Sequence, residues 1–320
     1  MGPIFHAAFF AIGLGHQLVS KLIPFRRQSG PREIRLDAIA VVLFLLLGAG
    51  YDRAVSGPLS EWWTSLAAVE RWYAMVEEWP PLLVLAVSLV CADFMVYWTH
   101  RALHSNVLWH AHAFHHSSKH VWWLAGLRSS PVHAVLTALP DTLAVLLFPP
   151  TSEPWLTALI LFQFCNQHWI HSNIRLPYQG MLEKLFVTPR VHFVHHSADV
   201  RFTNTNYAFL FTLWDRAFGT FTDPELVPLD EQLGLDYENT PWRMMLGLPP
   251  SQPKPDHRAS SDRAEQTIGG RHALSGGRAC KAGSEGTHAA ARCRASEREV
   301  SDHLDLESVN VSQSRATRPS

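Results

Sequence analysis

Charged residues are scarce in this sequence. Asp, Glu, Lys and Arg make up 17% of it and hydrophobic residues 47%, whereas soluble domains carry roughly 25% charged residues. This shortage of charge favours a protein embedded in a lipid bilayer. Basic segments interleaved with aromatic residues are also missing, and such segments are the electrostatic footprint of nucleic-acid binding. Nucleic acid is therefore not an expected partner.

Cysteine is also rare, with four residues in the chain. Cys91 and Cys165 lie in apolar runs, and Cys280 and Cys293 lie in the polar C-terminal part. Four cysteines spread in this way are too few for a disulfide framework. We expect all four to be reduced and not to bind metal.

Long apolar runs are present, and a run of about 20 residues is needed to cross the hydrocarbon core. The clearest span is 80–98, a second is 34–50, and 4–23 is a weaker third. Two further runs, 132–148 and 155–170, flank the segment PPTSEP, whose prolines and polar residues predict a tight turn. The sequence thus predicts an all-α protein in which these two runs form a helical hairpin.

The position of the basic residues predicts the orientation in the membrane. Short loops rich in Lys and Arg tend to stay cytoplasmic. Counting crossings from such a loop between the first two spans brings every histidine cluster to the cytoplasmic side. We therefore expect a multi-pass transmembrane helical bundle with a cytoplasmic, histidine-rich helical cap. The basic residues that set this orientation are Lys21, Arg26, Arg27, Arg32 and Arg35.

Three regions follow from these patterns. Residues 1–78 contain the N-terminal spans and their loops, and residues 79–248 contain the histidine clusters. Residues 249–320 have few large apolar side chains and many Gly, Ser and Arg. A segment of that composition cannot bury enough apolar surface to offset its ordering entropy. We therefore expect a disordered C-terminal tail.

Histidine is the residue that suggests chemistry, and the spacing of the histidines matters more than their number. In HRALH two imidazoles are four residues apart, and in HAFHH and HFVHH spacings of three and four recur. Such spacings share one face of a helix, while the adjacent pair in each HH can diverge toward two different metal ions. Together with His171, the predicted ligands are His100, His104, His112, His115, His116, His192, His195 and His196.

Imidazole alone does not identify the metal, since it binds Fe, Zn, Cu and Ni. A metal-bound imidazole often donates its second N–H to a carboxylate, and Asp93 lies two helical turns before His100. An acid inside an apolar span is costly and suggests a function. His168 lies three residues before His171, on the same helical face. Asp93 and His168 are therefore candidates for supporting the metal ligands.

The order of the motifs resembles the fatty acid hydroxylase/sterol desaturase superfamily over residues 93–220. The segments that carry the resemblance are DFMVYWTHRALH, WHAHAFHHS, QHWIHSN, TPRVHFVHHS and NYAFLFTLWDRAFGTF. The resemblance implies a membrane helical bundle with a cytoplasmic di-iron centre that uses O2 and reducing equivalents to hydroxylate or desaturate a lipid. The QHWIHSN segment is most similar to the ether-lipid monooxygenase and bacterial branches.

The resemblance also assigns roles to residues. It makes His171, rather than His168, the metal ligand of the QHWIHSN segment. Asn206, Tyr207 and Asp215 match the closing motif of the family, where we expect them to pack the cap and orient the third histidine cluster. No catalytic side chain is expected beyond the metal ligands.

Partners follow from the same resemblance. We expect a membrane lipid, O2 and a separate electron-donor protein, because the sequence contains no haem-binding, flavin or ferredoxin segment. The substrate stays open among sterols, fatty acyl chains, ether lipids and carotenoids, and so do the oligomeric state and the membrane concerned. Two other functions are weighed: a zinc membrane hydrolase, disfavoured by the lack of HExxH or a general-base Glu, and a non-catalytic metal-binding membrane protein.

Overall fold

The chain folds into helices joined by short loops. A computed structural model describes residues 3–28, 33–149 and 152–251, and within these ranges there is no strand, so the all-α prediction is confirmed there. The helices are α1 (Pro3–Leu22), α2 (Ile34–Tyr51), α3 (Gly57–Thr64), α4 (Ala67–Glu77), α5 (Pro81–Leu103), α6 (Trp109–His116), α7 (Pro131–Leu147), α8 (Glu153–Ile170), α9 (Gln179–Leu182), α10 (Pro189–His195), α11 (Val200–Thr203), α12 (Leu213–Ala217) and α13 (Pro241–Met245).

Two helical stretches have the length and apolar composition to cross a membrane. They are Pro81–Leu103 and Ile34–Thr64, in which α2 continues through a π-helical turn into α3. Both contain a span predicted from the sequence. Helices α1, α7 and α8 occupy the other three apolar runs. The structure thus places a helix in each predicted span.

Helix α5 packs most closely against α7, and the two run antiparallel. Ser88, near the start of α5, donates a hydrogen bond to the carbonyl of Phe148 just after α7, at 2.8 Å. Pro81 at the first turn of α5 has the backbone angle that a helix start needs. His100 and Arg101 lie in its last turn, where basic groups favour the negative end of the helix dipole. The histidines therefore lie at the opposite end of α5 from Ser88.

Aromatic side chains satisfy the C-terminal end of α7. The last carbonyls of a helix have no partner within it. The Trp63 indole and the Tyr73 hydroxyl donate to the carbonyl of Leu146, and the Trp72 indole donates to that of Leu147 at 2.6 Å. Helices α3 and α4 are thereby attached to the end of the bundle that lies away from the histidines.

The N-terminal end of α7 lies beside α6. The Ser130 hydroxyl accepts the backbone N–H of His133, as an N-cap does, and donates to the carbonyl of Ala111 at 2.7 Å. Helix α10 begins in the same way, with the Thr188 hydroxyl accepting the N–H of Val191. These caps determine where α7, which carries His133, and α10, which carries His192 and His195, begin.

A buried ion pair joins α2 to the loop that precedes α7. The Arg128 guanidinium donates to the Asp37 carboxylate at 2.7 Å, and both side chains are fully buried. Arg128 also donates to Glu33 and to the Ser117 hydroxyl, directly after α6. The Trp122 indole donates to the second oxygen of Asp37. Helix α2 and the end of α6, which carries His112, His115 and His116, are thus held by one charged group.

The predicted tail, residues 249–320, falls outside the described residues from position 252 onward.

Replacing Arg128 by Ala should lower the free energy of unfolding by about 3–5 kcal/mol, because the buried Asp37 carboxylate would lose its charge partner. Unfolding of the protein in mild detergent, followed by circular dichroism, measures this change. Arg201→Ala is the matched control, since Arg201 pairs with Asp199 at the surface. Equal destabilisation by both variants would contradict the role given to the buried pair.

Candidate metal centre

The nine predicted histidines converge at one end of the bundle. Four helices bring them there: α5, α6, α8 and α10, with His104, His171 and His196 directly after the last residue of α5, α8 and α10. Their nitrogen atoms fall into two groups, and within each group these atoms lie within 4.8 Å of one another. The five-histidine group is His100, His104, His112, His116 and His195; the four-histidine group is His115, His171, His192 and His196.

Each adjacent pair of histidines divides between the two groups. His116 and His195 belong to the five-histidine group, whereas their neighbours His115 and His196 belong to the four-histidine group. Successive side chains on an α-helix are about 100° apart, so neighbours point to different sides. The two groups remain in contact, because the rings of His116 and His196 stack with centroids 4.5 Å apart. Two ions held here would therefore be neighbours.

The spacing of the nitrogens suits a first-row metal ion. With imidazole nitrogens about 2.1 Å from an ion, neighbouring ligands at right angles lie about 3.0 Å apart and opposite ones about 4.2 Å. In the four-histidine group the Nε2 atom of His171 lies 3.0 Å from that of His192 and 3.3 Å from that of His115. In the five-histidine group the Nε2 atoms of His100 and His112 are 3.0 Å apart.

Unpartnered nitrogens in the five-histidine group also fit a cation. The Nε2 atoms of His104, His116 and His195 are buried and have no hydrogen-bond partner among the described residues. A buried polar atom left in this way costs free energy. A bound cation would satisfy all three nitrogens. The residues present therefore fit a metal centre, although their role as ligands remains a prediction.

Backbone carbonyls orient three of the imidazoles. The Nδ1–H of His100 donates to the carbonyl of Tyr207 at 2.7 Å, and that of His195 donates to Thr205 at 2.8 Å. His171 donates in the same way to the carbonyl of Gln167 at 2.9 Å. Each bond leaves Nε2 unprotonated and directed toward the other histidines. Sequence reasoning missed Thr205 and Gln167, because a backbone acceptor leaves no mark in the residue type.

Asn206 and Asp215 hold the segment that supplies two of these carbonyls. The Asp215 carboxylate accepts the backbone N–H groups of Tyr207 and Ala208 at 2.8 and 3.0 Å. Asn206 has a left-handed backbone, with φ of 55°, and its side-chain amide donates to the carbonyl of Val191 on α10. The three predicted supporting residues of this segment thus lie where they can orient His100 and His195. They are Asn206, Tyr207 and Asp215.

Asp93 has a different place from the one expected. Its carboxylate accepts the backbone N–H groups of Leu210 and Phe211 and the indole N–H of Trp214. The expected hydrogen bond to an imidazole is not among its contacts. Two helical turns separate Asp93 from His100 by about 10 Å along the axis, which is too far for a direct bond. Asp93 therefore supports the segment 205–220, which we call the closing segment, rather than a metal ligand.

His168 also lies outside both groups. Its Nε2 atom is 2.9 Å from the carbonyl of Phe9 on α1, and its ring packs against Phe9 and Trp123. His168 therefore joins α1 to α8 and does not touch the converging nitrogens. His171, three residues later at the end of α8, does.

Burial keeps the clustered imidazoles neutral. It lowers the pKa of His171 to about 4, partly offset by the hydrogen bond to Gln167. Burial, followed by the proximity of other histidines, also holds the pKa of His116 and of His192 well below the usual value. A neutral imidazole has a free lone pair at neutral pH. The buried clusters are thus in the protonation state that binds metal.

Two further residues at the centre were not singled out as site residues from the sequence. The ring of His133, at the start of α7, lies 4.7 Å from that of His112, and its Nδ1 atom is 3.1 Å from the Ser129 hydroxyl. Gly126 lies against His171: a Cβ atom there would come within 2.7 Å of the imidazole ring. Glycine is required at a position of such close approach.

A cavity of about 760 Å³ extends from the centre among the apolar helices. Members of both histidine groups line it, among them His100, His112 and His171, as do Phe44 of α2 and Leu159 of α8. Its wall is mostly apolar, and its volume is that of a site for a large ligand. An apolar molecule can therefore reach the histidines from within the bundle.

Gly126→Ala should displace His171 and weaken metal binding at the four-histidine group by about 10–100-fold, the range seen when support for a ligand is lost. Equilibrium metal titration measures the effect. Gly48→Ala is the control, because a Cβ atom at Gly48 meets nothing within 4 Å. Unchanged affinity in Gly126→Ala would show that His171 does not bind the metal.

Comparison with known proteins agrees with this geometry. The fatty acid hydroxylase family model matches residues 85–220. Alkylglycerol monooxygenase of Danio rerio is 34% identical over 136 residues, ornithine lipid hydroxylase of Rhizobium tropici 30% over 154, and lathosterol oxidase of Rattus norvegicus 29% over 148. No solved structure matches the chain.

These alignments cover 42–46% of this chain and 30–48% of the relatives, so the chain spans less than half the length of each of the three. The matched segment contains all nine converging histidines and the closing segment that orients two of them. Over residues 85–220 the chain is therefore similar to the fatty acid hydroxylase family and to these lipid-modifying relatives.

Proposed function

We propose that this protein is a membrane-embedded, iron-dependent oxidoreductase that uses O2 to hydroxylate or desaturate a lipid. The observation that carries the proposal is the meeting of two groups of convergent imidazoles with the end of a large apolar cavity. The relatives are named for an alkylglycerol, an ornithine lipid and lathosterol, and all three names denote lipids. This supports a lipid as the substrate here.

Each histidine group would hold one iron ion. Two irons so held would supply the activation of O2 that no protein side chain provides. The chain's own part is to keep the nine imidazoles neutral, to aim the Nε2 atoms of His100, His171 and His195 inward through backbone acceptors, and to leave the cavity as the route to the centre. A lipid chain in the cavity would also exclude water from the centre.

The position of the basic loop supports a cytoplasmic centre. The Arg26 guanidinium lies over the ring of Phe193, between His192 and Val194 on α10, with 4.6 Å to its centroid. The backbone N–H of Arg175, four residues after His171, donates to the carbonyl of Ile23. The basic loop and the histidines thus share one end of the bundle, and basic loops favour the cytoplasmic side.

The same arrangement supports a multi-pass topology. Helices α1, α2, α5, α7 and α8 would cross the bilayer, and α3 and α4 would lie at its far side, where Trp and Tyr are favoured. We assign residues 1–78 to the N-terminal spans and 79–248 to the catalytic region. Electrons would come from a separate donor protein.

Metal analysis tests the centre. The protein purified in mild detergent should contain about two Fe per chain, as expected of a two-metal site. His115→Ala and His195→Ala each remove one ligand, from the four-histidine and the five-histidine group respectively. Each variant should fall to about one Fe or fewer, measured by inductively coupled plasma mass spectrometry.

His110→Ala is the matched control, since His110 lies on α6 beside the clusters but belongs to neither group. It should retain the iron content of the unaltered protein. Zinc alone, no metal, or unchanged iron in both cluster variants would overturn the iron assignment.

Isotope labelling tests the reaction. Cells that express the protein under 18O2 should accumulate a lipid that contains one 18O atom, or a lipid that has lost two hydrogens. Mass spectrometry of total lipids, compared with cells that express His115→Ala, detects either product. Identical lipid profiles in the two strains, when the unaltered protein contains its iron, would contradict an oxygenase or desaturase.

A further inference from the structure

The cavity contains a polar band away from the histidines. On α7, His133, Thr137 and Asp141 are four residues apart and all line the cavity. Residues at this spacing share one helical face, and two turns advance about 12 Å along the axis. His133 lies against His112 of the five-histidine group. Asp141 therefore lies about 12 Å along α7 from His133, well inside the apolar part of the bundle.

The Asp141 carboxylate is only partly used by the protein. Its Oδ1 atom accepts a hydrogen bond from the side-chain amide of Gln163 on α8 at 2.7 Å. Its Oδ2 atom accepts none among the described residues. Next to it, the Tyr51 hydroxyl lies 2.8 Å from that of Thr142. Asp141, Gln163, Tyr51 and Thr142 all line the cavity. A carboxylate oxygen thus faces a space that an apolar molecule can fill.

Away from the histidine groups, where the proposed iron ions would add positive charge, the charged side chains that line the cavity have one sign. Asp52 and Asp141 line it, whereas none of the described residues that line it is Lys or Arg. A carboxylate or phosphate group that entered would meet negative charge without a basic partner. A hydroxyl or an ammonium group would find an acceptor. An ionisable residue placed at membrane depth and facing a cavity commonly marks a substrate path.

We propose that Asp141 is a specificity-determining residue, which holds a hydrogen-bond-donating group of the lipid, a hydroxyl or an ammonium, and excludes lipids whose buried end is anionic. The proposal rests on the proposed function and names the class of its substrate. Because Asp141 lies about two helical turns from His133, the group it holds is not the one that reacts. Its part is to position the lipid and select it.

The competing role for Asp141 is a hydrogen bond that joins α7 to α8. Asp141→Asn separates the two roles, because the carboxamide oxygen can still accept from Gln163 while the charge is lost. A merely structural role therefore predicts unchanged ligand preference in Asp141→Asn. A role in binding predicts a changed one.

The test uses the full chain in lipid nanodiscs and three probes of one chain length: a saturated alcohol, an amine and a carboxylate. Affinity is read from the rise of the thermal unfolding midpoint with probe concentration, since a ligand that binds the folded state stabilises it. Comparing one probe between two proteins cancels its partitioning into the nanodisc. Tyr73→Phe, which removes a hydrogen bond between α4 and α7 away from the cavity lining, is the control for loss of an interhelical contact.

Asp141→Asn should weaken binding of the alcohol, the amine or both by about tenfold or more, the loss expected for a hydrogen bond to a charged group. Binding of the carboxylate should not be weakened, and Tyr73→Phe should leave all three affinities unchanged. Loss confined to the amine assigns an ammonium group, and loss confined to the alcohol assigns a hydroxyl.

Equal effects on all three probes, or none, would overturn the proposal. If Asp141→Asn does not fold, the unaltered protein still decides once the partitioning of each probe into protein-free nanodiscs is measured, because a carboxylate that then binds as tightly as the alcohol and the amine would also overturn the proposal. Binding needs no turnover. If the unaltered protein oxidises lipid but shows no preference among the three probes, this inference alone is rejected. If it shows the preference but does not oxidise lipid, only the proposed function is rejected.

Discussion

Hydrogen bonds from buried imidazoles to backbone carbonyls are the constraint on which the centre depends. A histidine offers two nitrogens, and only the one without a proton can bind a metal. The bonds of His100, His195 and His171 to the carbonyls of Tyr207, Thr205 and Gln167 settle that choice. Nine such rings can converge without mutual repulsion because burial keeps them neutral.

Two carboxylates support the centre indirectly, and of these Asp93 was expected to contact an imidazole itself. Asp93 and Asp215 accept backbone N–H groups of the closing segment, and this segment in turn supplies carbonyls to His100 and His195. Arg128 has a comparable position on the other side, joining α2 to the end of α6. Helices α2 and α5 therefore share their supports with the histidine groups.

The cavity extends from the histidine groups among the apolar helices. It begins at the two histidine groups, passes between α2, α7 and α8, and contains one polar band at Asp141. An apolar wall admits a lipid chain but cannot fix its position along the cavity, since hydrophobic contacts are non-directional. A single directional group at a set distance from the histidines would supply that position. This division of roles accounts for a costly acid in an otherwise apolar helix.

Local periodicity explains how much could be predicted from the sequence. Spacings of four bring His100 and His104, or His192 and His196, into one group, and adjacent histidines diverge, as predicted. Residues three apart, His112 and His115 or His192 and His195, fall in different groups. Apolar length likewise predicted the positions of α1, α2, α5, α7 and α8. Contacts distant in sequence had no such signal: Asp93 was expected at an imidazole, Gly126 was not foreseen at the centre, and the hydrogen bond between Asp141 and Gln163 was not foreseen. The sequence by itself determined which residues could bind metal, because helix geometry is local, whereas only the tertiary structure decided what orients them and what shares their cavity.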